Sequence, residues 1–209
     1  MASFKSRYAY PQLYYMLSHK EFKQRQMARD LGYSHGSKIS DFVVWLETLG
    51  FVTKSKNLRD RVNAYRVPAP LALIKFYSTF FRMSEIRLSI VWGKTREEVI
   101  EYFKSQNAVF CLTTALEQYT EYVKDPAVHV YVTPEFWNEM ESKEVEGNVR
   151  VHLYTFKPYR DDNVTEKNGL RVTTPLRTLI DLYCDDKAYA AEPLINQIWP
   201  PQKTNTSQL

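Results

Sequence analysis

One stretch of the sequence carries polar side chains at spacings suited to contacting nucleic-acid bases. Apolar residues recur at helical spacing over 39–49, which leaves Ser37, Lys38, Ser40 and Asp41 on the opposite side, with Trp45 further along. Lysine donates to guanine acceptors, serine donates or accepts, and aspartate accepts from cytosine. Trp45 has a packing alternative, which we favour because large aromatic side chains are mostly buried.

A basic segment follows this helix. Four cations, with the turn former Asn57 among them, occur within eight residues between two short apolar runs: Lys54, Lys56, Arg59 and Arg61. Two such runs around a turn predict a hairpin. Its basic tip would contact phosphates and set register and affinity rather than sequence preference. The alternative is a solvated basic loop.

The chemistry of metal sites and catalysis has weaker signals. His129 and His152 alternate with apolar residues in two predicted strands, but two histidines without a third ligand make a poor metal site. We expect outward-facing or satisfied strand histidines. Asp181 follows Arg177 by four residues on a predicted helix, which favours a local ion pair. There is no Gly-rich phosphate loop, G-x-S-x-G or H-E-x-x-H motif, so we predict no catalytic residues, metal or cofactor.

The elements that must position these residues have recognisable limits. A helix over about 22–31 ends at Gly32, and the helix that carries Lys38 ends at Gly50. Its inward stripe is predicted to be Ile39, Phe42, Val43, Leu46 and Leu49. Helix, turn, second helix and hairpin are together the outline of a winged helix-turn-helix.

The remaining chain predicts a second module. Residues 71–83 are predicted to form a strongly apolar connector helix, and residues 84–199 to alternate strands and helices. Within this second range we predict a helix that begins after Thr95, its capping residue, and a polar loop at 161–168. Residues 200–209 are predicted to be a disordered tail. The predicted class is α+β: a winged helix-turn-helix at 1–70 followed by a mixed α/β domain that binds an effector or partner.

Charge is distributed unevenly between the two modules. Residues 1–70 hold 12 Lys and Arg against 5 Asp and Glu, whereas the remainder holds 16 against 19. A basic N-terminal module joined to a mildly acidic one favours a polyanion ligand for the former. No apolar run approaches the roughly 20 residues that a membrane helix needs. The sequence therefore predicts a cytoplasmic protein with no membrane contact.

The segment 173–182, TTPLRTLIDL, resembles a motif near the end of the AbiEi-like antitoxins and transcriptional regulators of the abortive-infection type IV toxin–antitoxin class. The matching positions are Pro175, Arg177, Thr178 and Asp181, which we expect to be structural. The resemblance covers about residues 10–185. It implies a DNA-binding repressor of its own operon whose C-terminal domain counters a nucleotidyltransferase-type toxin.

Two other functions remain open from the residues. The winged helix could be a protein-docking module of an assembly subunit, with Val44, Trp45 and the aromatic connector exposed. Less favoured is a nuclease or nucleotidyltransferase that uses Asp181 with loop carboxylates at 161–162 and 185–186.

Overall fold

The computed structural model describes residues 4, 9–33, 37–55, 64–143, 146–155 and 163–200, with the side chains of 37 and 38 excepted. Helices and one mixed sheet make up most of this chain, so the predicted α+β class is confirmed. The chain divides into two compact units, Met1–Arg82 and Met83–Leu209. No described helix is long and apolar enough to cross a membrane.

The N-terminal unit consists of helices and a small hairpin. Its elements are α1 (Ala9–Ser18), α2 (Gln24–Asp30), α3 (Ser37–Thr48), β1 (Thr53–Ser55), β2 (Ala64–Arg66) and α4 (Pro70–Ser78). Strands β1 and β2 are antiparallel, with Thr53 opposite Arg66. The hairpin is tied back to the helices by a bridge between Phe22 and Tyr65, whose backbone groups exchange two hydrogen bonds of 2.8 Å.

Glycines end two of these helices, as the sequence predicts. Gly32 follows α2 with a φ of +69°, and Gly50 follows α3 with a φ of +80°. An L-residue rarely adopts this left-handed conformation, whereas glycine does so without a Cβ clash. Of the stripe predicted on α3, Ile39, Phe42, Val43 and Leu46 are buried. Leu49 is 45% exposed, so its predicted inward position is wrong; it lies in the turn where the helix has already ended.

Helix α4 is shorter and more one-sided than predicted. It ends at Ser78 instead of extending to Met83, which begins a separate 3-10 turn over Met83–Ile86. Leu73, Ile74 and Tyr77 are buried, whereas Lys75 is exposed. The helix therefore has one apolar side and one solvated side, rather than apolar residues all round.

The C-terminal unit is built on a six-stranded mixed sheet. Its elements are β3 (Arg87–Trp92), α5 (Arg96–Ser105), β4 (Val109–Phe110), α6 (Leu112–Leu116), β5 (Val128–Tyr131), α7 (Pro134–Glu141), β6 (Val149–Tyr154), β7 (Val164–Lys167), β8 (Leu170–Thr173), α8 (Pro175–Cys184) and α9 (Glu192–Ile198). The strand order is β3-β6-β5-β4-β8-β7. Pairs β5–β6 and β4–β8 are parallel and the other three pairs are antiparallel.

The core of this unit lies on both faces of the central strands. One cluster joins Val130, Val151 and Leu153 of the sheet to Val99 and Phe103 of α5. On α8, every residue from Leu176 to Cys184 is buried. This double burial explains why β5 has no exposed position, since central strands covered on both faces read as continuous apolar runs.

Some of the predicted boundaries are wrong. The predicted polar loop at 161–168 contains strand β7, an edge strand whose residues after Val164 are polar, although residues 161 and 162 lie outside the described chain. Strand β4, only two residues long, was not predicted. The sequence pattern predicts a helix over 113–122, but α6 ends at Leu116. It also predicts one helix over 188–199, where the structure has a 3-10 turn, Ala188–Ala190, followed by α9. The cap by Thr95 is confirmed as a full capping box with Glu98.

Candidate functional site

Helix α3 presents a mixed outward face. Its buried stripe leaves Asp41, Val44 and Thr48 exposed, while Ser40 is half-buried. The side chains of Ser37 and Lys38, the other two predicted base-contacting residues, lie outside the described chain. Val44 is 49% exposed. The described part of this face therefore combines one carboxylate, small hydroxyls and one apolar side chain.

Trp45 is held by aromatic packing. Its ring is half-buried and lies 5.1 Å from the Phe4 ring, 5.8 Å from that of Phe42 and 6.3 Å from that of Phe76. Aromatic pairs at these centroid distances contribute about 0.5–1.5 kcal/mol beyond area burial. These contacts favour the packing alternative for Trp45 over a contact with bases.

The hairpin that follows α3 is described only at its base. Lys54 on β1 is exposed and forms an ion pair of 3.3 Å with Glu47 on α3. The other predicted tip residues, Lys56, Asn57, Arg59 and Arg61, lie outside the described chain. Arg66 on β2 is exposed and was not among the predicted site residues. Arg66 lies opposite Thr53 at the base of the hairpin, so the hairpin has a cation at its base as well as the cations predicted for its tip.

The motif residues near the C-terminus form a buried polar cluster. Arg177 Nε donates to both carboxylate oxygens of Asp181, at 2.9 and 3.1 Å, and Arg177 Nη2 donates to Tyr131 Oη at 2.9 Å. Tyr131 in turn donates to Asp181 Oδ2 at 3.0 Å. Burial raises the pKa of the Asp181 carboxyl, and the Arg177 guanidinium opposes that shift. The predicted local pair of Arg177 and Asp181 is confirmed, and it occupies both oxygens of Asp181.

The rest of the motif positions this pair. Pro175 stands in the first turn of α8, where its missing N–H costs nothing, and Thr174 caps the helix by accepting from Arg177 N at 3.4 Å. Thr178 bonds Thr173 on the preceding strand, with 2.7 Å between the two hydroxyl oxygens. The motif thereby fixes the start of α8 against β8 and directs the Arg177 side chain inward.

The two strand histidines lie side by side. His129 on β5 is paired in register with His152 on β6, and their ring centroids are 4.9 Å apart. His129 contacts Tyr154 Oη at 3.0 Å and Asp125 Oδ2 at 3.3 Å. Burial lowers the pKa of His129, while hydrogen bonding to His129 holds the pKa of Asp125 well below its usual value. His129 therefore bridges Tyr154 and Asp125 inside the core.

His152 is a satisfied strand histidine as well. Its Nδ1 lies 2.8 Å from Ser89 Oγ on β3. Partial burial, followed by the charges of His129 and Arg87, lowers the pKa of His152 to about 4. No group of three or more potential metal ligands occurs within the described ranges. Of the loop carboxylates, Asp185 is paired with Arg87 at 3.8 Å and with Lys187, whereas 161 and 162 lie outside the described chain.

No protein-family model, curated protein or solved structure matches this chain.

Proposed function

We propose that the chain is a sequence-specific double-stranded DNA-binding transcriptional regulator whose N-terminal unit contacts the operator. The observation that carries this proposal is the order and packing of α2, α3 and the hairpin. Helix α3 contacts α2, buries one apolar stripe and is followed at once by the antiparallel pair β1–β2. That sequence of elements is what a winged helix-turn-helix requires.

The charge of this unit supports a nucleic-acid ligand. Residues 1–70 carry a formal charge of +7, and the segment between the two hairpin strands holds Lys56, Arg59 and Arg61. Lysines and arginines near phosphates release condensed counterions, which supplies sequence-independent affinity. The short polar face of α3 would then supply the sequence preference, and the hairpin most of the affinity.

The role of the C-terminal unit forms a second step of the proposal. We propose that it binds a partner and that the whole chain acts in the cytoplasm as an autorepressing, antitoxin-like protein. The partner would be a nucleotidyltransferase-type toxin. Support comes from the Arg177–Asp181 motif and its resemblance alone, so the experiment for this step is separate. Co-expression with the product of the neighbouring gene should give a complex that survives size-exclusion chromatography if that gene encodes such a toxin.

The test of DNA binding uses the full chain and duplexes selected from a random pool. If the interface neutralises about six phosphates, the logarithm of the association constant falls against the logarithm of salt with a slope of about −5. Lys56→Ala and Arg59→Ala should weaken binding to selected and random duplexes alike, whereas Lys38→Ala and Ser40→Ala should mainly reduce the preference for the selected duplex. Lys94→Ala, an exposed lysine of the C-terminal unit, is the matched control.

Two outcomes would refute this proposal. A binding constant that does not change with salt would show that the interface makes no phosphate contacts. An equal effect of all four substitutions on selected and random duplexes would contradict the proposed division of roles, with sequence preference from α3 and affinity from the hairpin. The Lys94→Ala control should bind as the unchanged chain does.

A protein-docking function is the second candidate. It is favoured by the exposed apolar side chains Val44, Leu49 and Phe80. It is opposed by Trp45 and Phe76, which this interpretation needs at the surface but which pack in the aromatic cluster of the N-terminal unit. Val44→Asp separates the two functions, since it should abolish docking through an apolar patch but leave the salt-dependent part of DNA binding in place. A catalytic role for Asp181 gains no support, because both of its oxygens accept from Arg177.

A further inference from the structure

A cavity of about 500 Å³ opens within the C-terminal unit at one end of the sheet. It lies where β5 runs into α7 and where the turn after α5 enters β4, with Arg171 of β8 as a further wall. Pockets for small ligands usually have volumes of about 300–1,000 Å³. The cavity is therefore large enough for an organic molecule with one or two rings.

The apolar walls of the cavity belong to the core of the unit. Phe103 is fully buried, and its ring meets that of Phe136 edge to face at 5.8 Å. Ala108 and Val132 pack against the same core cluster. Because these side chains are fixed by packing from behind, the cavity exists without a ligand, which reduces the ordering cost of binding.

Arg171 is the cation among the described lining residues. It is half-buried, and its Nη1 donates to the carbonyl oxygen of Asn107 at 2.8 Å. That bond holds the guanidinium at the wall of the cavity. Its other N–H groups make no hydrogen bond to the part of the chain that the structure describes. A guanidinium offers donors in a planar fork that matches a carboxylate.

The start of α7 forms the wall near Thr133 and Pro134. Thr133 caps this helix by accepting from Phe136 N at 3.3 Å. The N-terminus of a helix carries partial positive charge, which favours an anion nearby. Glu135 also lines the cavity, and the negative charge of its carboxylate disfavours ligands that carry two or more negative charges.

We propose that this cavity binds a small monocarboxylic acid with an apolar ring system. The carboxylate pairs with Arg171, and the ring lies against Phe136 and Val132, which are half-buried. This site lies wholly within the C-terminal unit and does not depend on DNA binding by the N-terminal one. A single guanidinium above an apolar floor suits one carboxylate on an apolar body better than a phosphate dianion, which Glu135 would repel.

The experiment follows the methyl resonances of Ala108 and Val132 in the full chain during titration with naphthoate, and with naphthamide as a neutral ligand of the same shape. Naphthoate should shift both methyls saturably. Arg171→Gln should weaken naphthoate binding about 10- to 100-fold, as expected for the loss of a charge-assisted hydrogen bond, and should leave naphthamide binding unchanged. Arg150→Gln, an exposed arginine on β6, is the matched control and should change neither.

Two further variants make the proposal falsifiable if Arg171→Gln fails to fold. Arg171→Lys keeps the charge but loses the fork, so it should weaken naphthoate less than the glutamine does. Glu135→Gln should tighten naphthoate binding. The proposal is overturned if Glu135→Gln weakens binding, if naphthoate and naphthamide bind alike, or if neither methyl shifts at ligand concentrations up to about 10 mM, a very weak affinity for a ligand of this size.

Discussion

The buried pair of Arg177 and Asp181 should dominate the stability of the C-terminal unit. Both side chains are almost fully buried, and Tyr131 bonds each of them. Removing one partner of such a pair costs about 3–5 kcal/mol, because the other charge stays buried without compensation. Since domains are stable by about 5–15 kcal/mol, either Arg177→Met or Asp181→Asn should remove much of the stability of this unit.

The two single variants should respond differently to pH. In Arg177→Met the Asp181 carboxyl loses its cation, so its folded pKa rises far above the unfolded value and the folded state holds a proton that the unfolded state releases. Stability is then highest below the unfolded pKa of about 4 and falls as pH rises towards the folded pKa, by up to about 1.4 kcal/mol per pH unit. Asp181→Asn leaves Arg177, which cannot deprotonate, and should show no such slope.

The assay is urea unfolding of the full chain, followed by hydrogen exchange in peptides of α8 and β5. These peptides report on the C-terminal unit alone. The double variant Arg177→Met with Asp181→Asn should be more stable than the sum of the two single effects predicts, because it leaves no buried charge. Single costs below about 1 kcal/mol, or additive effects in the double variant, would refute a pair that is both buried and coupled.

Two further predictions concern the same unit. The ring of His152 should titrate with a pKa of about 4 in an NMR experiment, and a measured pKa at or above 6.5 would contradict this prediction. Because the unfolded chain takes up this proton at a higher pH than the folded chain does, His152 should lower the stability of the fold as pH falls from about 6.5 to 4. The variant His152→Gln should not show this loss. Thr95→Ala should cost about 1 kcal/mol in urea unfolding, since it removes the capping box of α5. Thr165→Ala, within strand β7, is the comparison, and equal effects of the two substitutions would argue against capping.

Features that depend on neighbours in sequence could be predicted. The Thr95 cap needs only Glu98, three residues away, and Gly32 and Gly50 end their helices through their own conformational freedom. The pairing of Arg177 with Asp181 follows from one helical turn. In each case the sequence spacing alone determines which groups come into contact, so the pattern predicts the structure correctly.

Features set by distant neighbours could not be predicted. Tyr131 lies 46 residues from Arg177, and nothing in its strand marks it as the third member of the cluster. Strand β7 reads as a loop because an edge strand needs no apolar face, and β4 is too short to show a period. The cavity beside Arg171 arises only when α5, α7 and β8 come together.

Few of the polar side chains of the C-terminal unit that the sequence suggests for function are accessible to a ligand. Its most chemical-looking side chains, Arg177, Asp181 and His129, each hydrogen-bond to other core side chains and are buried. A group fixed in this way cannot meet a ligand unless the core opens, which would cost several kcal/mol. Arg171 differs, because it is half-buried at the wall of an open cavity. A ligand of this unit should therefore bind at Arg171 rather than at the motif that contains Arg177 and Asp181.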